Sequence, residues 1–354
     1  MKTILALLTA ASVLLGSGAP VTRAPRQPDV GVQGAHGHAP LSMTAPTPAA
    51  RCDATTDYGD ANGLALDAHD NIYVALSPAS ADANAAGGIE IQKWSPAGRL
   101  LATWTTPGAR RGRGYHPAGV AVDGHGNIYV ADANASRIIK LSATGQVLAT
   151  WGAPGTAAGQ FAKPAGIAVD GHGDVYVADK GNGRVQVLDA TGRPRALWRL
   201  PSPGPGQASL PSGIAVDGRG RVYVADDAIR IFVLSPRGAV LRAWGSKGDQ
   251  PDQFRHPVGI ALDPRGRLDI ADKLNARIQQ FSPTGTPLTR WAMGSTMGRW
   301  FDAQGVAPAQ PAFPTGVAVD ARGTIDVLAG WCTSRIQQFS PTGQTIAIWP
   351  VAGT

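Results

Sequence analysis

Seven histidines, two cysteines and a few dense basic or aromatic clusters are the residues in this 354-residue chain best suited to chemistry. His36 and His38 flank one glycine in a plain Pro/Ala/Gly stretch, and two ligands on such a tail fall short of the four that a closed metal site takes. His116 and His256 each precede a proline that opens a β-rich run, whereas His69, His125 and His172 follow such runs inside turns. A catalytic metal needs about three convergent ligands, and no such set assembles from these positions. There is no Gly-x-Ser-x-Gly elbow, no phosphate-cradling glycine loop followed by lysine, and no His-Glu-x-x-His helix. The expectation is therefore a protein without metal or cofactor and without a catalytic set. What the chain does supply is Arg110, Arg111, Arg113, Tyr115 and His116 in close succession, with Trp300, Phe301 and Trp331 further on. Cationic and aromatic side chains together suit an acidic protein surface or an anionic polymer.

The elements that must position these residues recur six times. Gly63-Leu-Ala-Leu-Asp67 returns as Gly119-Val-Ala-Val-Asp123 and Gly166-Ile-Ala-Val-Asp170, and again from Gly213, Gly259 and Gly316. Each copy continues through a turn into a run such as Asp174-Val-Tyr-Val-Ala-Asp179, then a third run such as Arg184-Val-Gln-Val-Leu188. A Gly-containing turn leads to a fourth run that ends in Trp104, Trp151, Trp198, Trp244, Trp291 or Trp349. Four short runs rich in Val, Ile and Tyr, bounded by Gly and Asp turns, describe one four-stranded antiparallel sheet. A lone sheet of that kind cannot bury both faces, but six in a ring can. The predicted fold is all-β, a six-bladed β-propeller of four-stranded antiparallel blades. The alanine at the middle of each first run is expected at the crowded ring axis, and the six tryptophans in the core.

The pattern Pro-x-Gly-[Ile/Val]-Ala-Val-Asp, then Tyr-Val-Ala-Asp and an Arg-led hydrophobic run, resembles the NHL repeat over about residues 58–350. That resemblance implies a six-bladed propeller used mostly as a binding platform, with some members acting as lyases. It also implies that Asp132, Asp179, Asp226 and Asp272, with Arg137, Arg184, Arg230, Arg277 and Arg335, are structural. The zinc-binding histidines of the peptide-amidating lyases follow the proline of the first strand. Here those positions hold Ala118, Ala165, Ser212, Val258 and Thr315, so that metal site is not expected.

Length variation points to a site. The first-strand glycine stands nine residues before the second run (Gly63 to Ile72, Gly166 to Val175), and ten residues separate Leu188 from Trp198 as they do Phe339 from Trp349. The loop between runs two and three is nine residues longer in repeat one, around Ser77 to Gly88. The connection from Trp to the next Gly is fifteen residues except from Trp291 to Gly316, where it is twenty-five. Because strands alternate direction, both variable loop types emerge on one face, and loops on a rigid scaffold carry function. Binding is expected there, near the closure between blades six and one, through Arg110, Arg111, Arg113, Tyr115, His116, Trp300, Phe301 and Trp331. Residues 1–62 balance four basic against four acidic groups, so the net charge of +7 belongs to the repeats.

Lys2, an apolar stretch from Ile4 to Leu15 and small residues at 16–19 read as an export signal over 1–19, too short to span a bilayer. Residues 20–50 read as a flexible spacer and 51–354 as the propeller. Cys52 and Cys332 fall on the same face at the junction of the first and last blades, and an exported chain meets oxidising conditions, so a disulfide between them is expected. The sequence thus predicts a secreted, monomeric, non-catalytic binding platform for a protein or an anionic cell-envelope polymer, with no membrane span and no nucleic-acid partner. The alternative is a metal-dependent lyase or lactonase-like propeller.

Overall fold

A computed structural model describes residues 63–76, 88–106, 117–293, 313–330 and 334–351, all within the compact unit 52–354. Six four-stranded sheets are each hydrogen-bonded in chain order, with every pairing antiparallel. They form the blades of a β-propeller. Blade one comprises Gly63–Leu66, Ile72–Leu76, Glu90–Trp94 and Leu100–Thr105. The other five occupy 117–151, 164–199, 211–244, 257–292 and 313–350. Among the described residues no blade borrows a strand from another part of the chain. Among the described residues no helix is long and apolar enough to cross a membrane.

Each second strand is almost wholly buried because its alternating side chains face two neighbouring blades at once. Val130 and Ile128 pack with Ile89 and Ile91 of blade one, while Tyr129 and Ala131 pack with Ile167 and Val177 of blade three. The same layer closes the ring, where Leu64, Ile72 and Val74 of blade one meet Leu328, Ile336 and Val351 from the last repeat.

The crowded axial residue is glycine, not the alanine two positions later. A Cβ at Gly63 would collide with Gly119, one at Gly119 with Ala165 and Gly166, and one at Gly316 would stand 3.1 Å from Leu64. The alanines lie inside the interblade layers instead, as Ala121 and Ala261 do. The tryptophans also differ from expectation. Only Trp291 counts as buried, and the others are half-buried on the fourth strands. Their partner is the left-handed glycine in the last turn of the next blade. A Cβ there would overlap Trp104 at Gly145, Trp151 at Gly192 and Trp198 at Gly238, and would lie 2.9 Å from Trp349 at Gly98. The contact therefore runs from every blade to the next, and from blade six back to blade one.

The turns on one face are uniform. Asp67, Asp123, Asp170, Asp217, Asp263 and Asp320 each accept two backbone N–H bonds at Oδ1, from the residues two and four further on. These are Asx turns, with a left-handed glycine in five copies and Asp70, φ 60°, in the first. They account for the Asp-x-x-Gly segments without any cation.

Two substitutions test the clasp. Gly145→Ala meets both a left-handed φ of +83° and the Trp104 ring, whereas Gly124 has open space. Thermal or denaturant unfolding should show Gly145→Ala destabilised by more than ~1 kcal/mol and Gly124→Ala nearly unchanged. Equal effects would remove the clasp from the account.

Candidate functional site

The face opposite the uniform turns carries the starts of strands one and three and the ends of strands two and four, as the pairings Pro164 with Asp179, Asp179 with Arg184 and Arg184 with Arg199 require. Every segment of variable length leaves from this face. The predicted residues Arg110, Arg111, Arg113, Tyr115, His116, Trp300, Phe301 and Trp331, and the cysteines Cys52 and Cys332, lie outside the described residues. The described residues that flank them, Thr106 and Pro117, Met293 and Phe313, and Gly330 and Ser334, all stand at strand ends on this face.

The Asp/Arg positions form a clamp. Asp179 Oδ2 accepts from Arg184 Nε at 2.7 Å, Asn182 Nδ2 at 2.8 Å and Gln186 Nε2 at 3.0 Å. The Arg184 guanidinium then donates to the carbonyls of Thr156, Ala157 and Gln160, which lie in the connection from the preceding blade. Arg277 repeats the arrangement with Asp272 and the carbonyls of Asp249, Gln250 and Gln253. Removing one member of such a buried pair costs about 3–5 kcal/mol, so these are structural groups. Blade four departs from the pattern. Its hairpin from Asp226 to Arg230 is one residue shorter than that from Asp179 to Arg184, and the pair is not made: Arg230 donates to Pro201 O and lies over Phe232. Blade one has Leu76 and Glu90 at these positions, and blade six has Ala329 opposite Arg335. The clamp grips the fifteen-residue connections, and where its aspartate is absent, in blades one and six, the loops lengthen; blade four, which keeps Asp226, keeps a fifteen-residue connection.

At the inner rim of this face lies a cluster that the sequence analysis did not assemble. Asp227, directly after the second strand of blade four, contacts Lys180 Nζ of blade three through Oδ2. Its Oδ1 lies 2.6 Å from Nδ1 of His256 in blade five. Burial pushes the Asp227 carboxyl up, but the bond to His256 and the charge of Lys180 outweigh it and hold the pKa below the ordinary value. His256 has φ +69°, a left-handed conformation that costs a non-glycine residue on the order of 1–3 kcal/mol. It is fixed there by two bonds, Arg255 N–H to Asp272 Oδ1 and Lys273 N–H to the His256 carbonyl. His256 also precedes Pro257, whose neighbours Val258 and Gly259 line the axial channel. That channel offers only about 60 Å³ of free volume, too small for a ligand of ordinary size. Ser212 in its wall ties Ala225 O to Pro257 O. A histidine oriented by a carboxylate is suited to accept or donate a proton, and the lysine adds a cation beside it. The sequence signal was faint: Lys180 and Asp227 share one position, directly after the second strand of consecutive repeats, but His256 comes from another, before the first-strand proline of the next. Among the described residues no three His, Cys, Asp or Glu side chains are placed to hold a metal. His69, His125 and His172 lie in the Asx turns of the opposite face.

The most displaced acids belong to that opposite side of the blades. Tyr73, Tyr129, Tyr176 and Tyr223 donate to the turn aspartates of blades one to four. Blades five and six place Asp269 and Asp326 there instead, each bonded by a glutamine, Gln280 or Gln338, at 3.0 Å. Burial, with the nearby carboxyls of Asp263 and Asp320, raises both to about 7.

Two segments of the chain are similar to the NHL repeat. The NHL repeat family model matches residues 115–141 and 161–188, within blades two and three. No curated protein sequence matches the chain. Among solved structures it is similar to virginiamycin B lyase from Staphylococcus aureus, with 15% identity, TM-score 0.55, and 84% of this chain and 86% of that one covered. It is also similar to a streptogramin B lyase, with 16% identity, TM-score 0.54 and 84% of each covered. A third similar structure is U3-55K, with 16% identity, TM-score 0.53, and 83% and 82% covered. At these identities the likeness is one of fold.

Asp269 and Asp326 give a pH prediction with a definite sign. Their folded-state values lie above those of the unfolded chain, so the folded protein holds extra protons between roughly pH 4 and 7. That stabilisation is complete below about pH 4 and is lost as pH rises through 7. Asp269→Asn with Asp326→Asn should flatten the fall in unfolding free energy between pH 4 and 7, by on the order of a few kcal/mol. A double variant with an unchanged profile would show that these carboxyls titrate normally.

Proposed function

We propose that the protein is an exported, non-catalytic binding platform that engages a protein or anionic cell-envelope partner through the loop-bearing face near the junction of blades six and one. One observation carries this reading: the turns on one face are uniform, while every change of loop length falls on the other. A scaffold that must pack identically keeps its turns, and a surface that must recognise something is free to vary. The basic and aromatic groups Arg110, Arg111, Arg113, Tyr115, His116, Trp300, Phe301 and Trp331 belong to segments that leave from that face. They suit an anionic partner. The export signal at 1–19 and a Cys52–Cys332 disulfide form part of the same proposal, and free thiols found by mass analysis of the exported protein would remove the disulfide. Replacing Arg110, Arg111 and Arg113 with serine should weaken retention on anionic envelope material, with the loss greatest at low salt. Unchanged retention would count against the basic face.

The Lys180–Asp227–His256 cluster favours a second reading, a lyase-like or lactonase-like enzyme. Its strained histidine, held by a carboxylate at the axial rim, has the form of an oriented base. Tightly bound stoichiometric zinc or calcium in the purified protein, together with an activity lost in His256→Ala, would establish that reading. A protein purified without metal that retains its partner after His256→Ala would support the platform.

A further inference from the structure

We propose that Arg335 and Gln337 of blade six form a carboxylate receptor, open to a carboxyl group from outside the chain. The inference names the chemical group that the loop-bearing face takes up, and it rests on the reading of that face as the binding surface.

The receptor is visible in the two blades where it is filled from within. In blade three one carboxylate oxygen of Asp179 collects Arg184 Nε, Asn182 Nδ2 and Gln186 Nε2. In blade five Asp272 collects Arg277 Nε at 2.8 Å, Asn275 Nδ2 at 2.7 Å and Gln279 Nε2 at 3.3 Å. Blade six keeps the arginine and the glutamine in the same register but presents Ala329 where the aspartate stands. Arg335 Nε and Gln337 Oε1 are buried without a hydrogen-bond partner. The one bond from the guanidinium is from Nη2 to Met293 O at 3.4 Å, whereas Arg184 makes four bonds of 2.5–3.0 Å. Gln337 is only 6% exposed and its Nε2 donates to Thr345 Oγ1 at 3.3 Å; because that hydroxyl can equally donate, exchanging the two ends of the amide keeps the contact and frees Nε2 to donate as Gln186 and Gln279 do. Burial alone lowers the pKa of Arg335, with no acid opposing it.

Blade one supplies the contrast. It too lacks the aspartate, having Leu76, but its arginine is replaced as well, by Glu90, which accepts a bond of 2.7 Å from Gln92. Loss of the acid there leaves no stranded cation. In blade six the cation remains, desolvated, and a planar guanidinium edge matches a planar carboxylate in two parallel bonds. The carboxylate can be a small free acid or an acidic side chain of a macromolecular partner.

Ala329→Asp restores the internal occupant and serves as the test. The full-length protein is melted in sodium acetate and with a poly-glutamate peptide, each against chloride at equal ionic strength, as wild type, Ala329→Asp and Arg335→Gln. The wild-type melting temperature should rise with carboxylate concentration. Ala329→Asp should melt higher than wild type without ligand and lose that response, its apparent affinity for the active probe falling by about tenfold or more. Response to acetate identifies a small acid, and response to the peptide alone identifies an acidic side chain. A wild type indifferent to both probes, or an Ala329→Asp variant that responds as wild type does, overturns the receptor. Arg335→Gln, if it folds, should be unresponsive, and a response equal to wild type counts against the site. A receptor that behaves as described alongside unchanged envelope retention in the Arg110, Arg111 and Arg113 variant would confine the failure to the basic face.

Discussion

The contact between a fourth-strand tryptophan and the left-handed glycine of the next blade is the constraint on which the rest of the structure depends. Trp104 meets Gly145, Trp151 meets Gly192, Trp198 meets Gly238, Trp244 meets Gly285, Trp291 meets Gly343, and Trp349 meets Gly98. Among the described residues no strand is exchanged between the ends of the chain, and the polar contact across the final interface is the exposed pair Arg322 Nη2 to Asp70 Oδ2 at 3.2 Å. Among the described residues it shares three further contacts with the other five. These are a buried apolar layer, an axial glycine contact that leaves a Cβ little or no room, and an indole over a turn that only glycine occupies without strain. A turn held in this way cannot change length or residue without losing a neighbour, which explains why one face is uniform.

The other face is fixed by a different device, and its loss has a different consequence. Where Asp, Arg and Gln stand together, as at Asp179, Arg184 and Gln186, they grip the incoming connection by its carbonyls. Where the aspartate is lost, in blades one and six, the loops lengthen, and these two blades are neighbours across the closure. Freedom to vary is therefore concentrated at one sector of one face. The Lys180–Asp227–His256 cluster lies on the same face in a different sector, over blades three to five. The surface offers two chemically distinct regions, one with an oriented histidine and one with a stranded guanidinium.

The fold was legible in the sequence because its signals repeat. Six copies of Gly-x-Ala-x-Asp gave the first strands, and Tyr-Val-Ala-Asp gave the second, including the pairing of Asp179 with Arg184. Residue roles within the repeat were harder to assign. Size alone suggested alanine for the axis, but the backbones approach closely enough there that only the absence of a Cβ suffices. The tryptophans suggested core, and Trp291 belongs to it, whereas the other five sit half-buried on the outer strands and pack against the core clusters from there. The break at Arg230 follows from a single missing residue in a hairpin, which leaves composition unchanged. The axial cluster was hidden for the opposite reason. Lys180, Asp227 and His256 belong to three different repeats, and only the packing of consecutive blades brings them together.

Amide hydrogen exchange across the full chain tests the central claim, that the last interface is equivalent to the five before it, most directly. The second and third strands of blades one and six, at Ile72–Leu76, Glu90–Trp94, Ile325–Gly330 and Arg335–Phe339, should be protected to the same degree as Val175–Asp179 and Arg184–Leu188 of blade three. Fast exchange confined to the first and last blades would mean that the ring opens at that seam, and that the tryptophan–glycine contact does not close it.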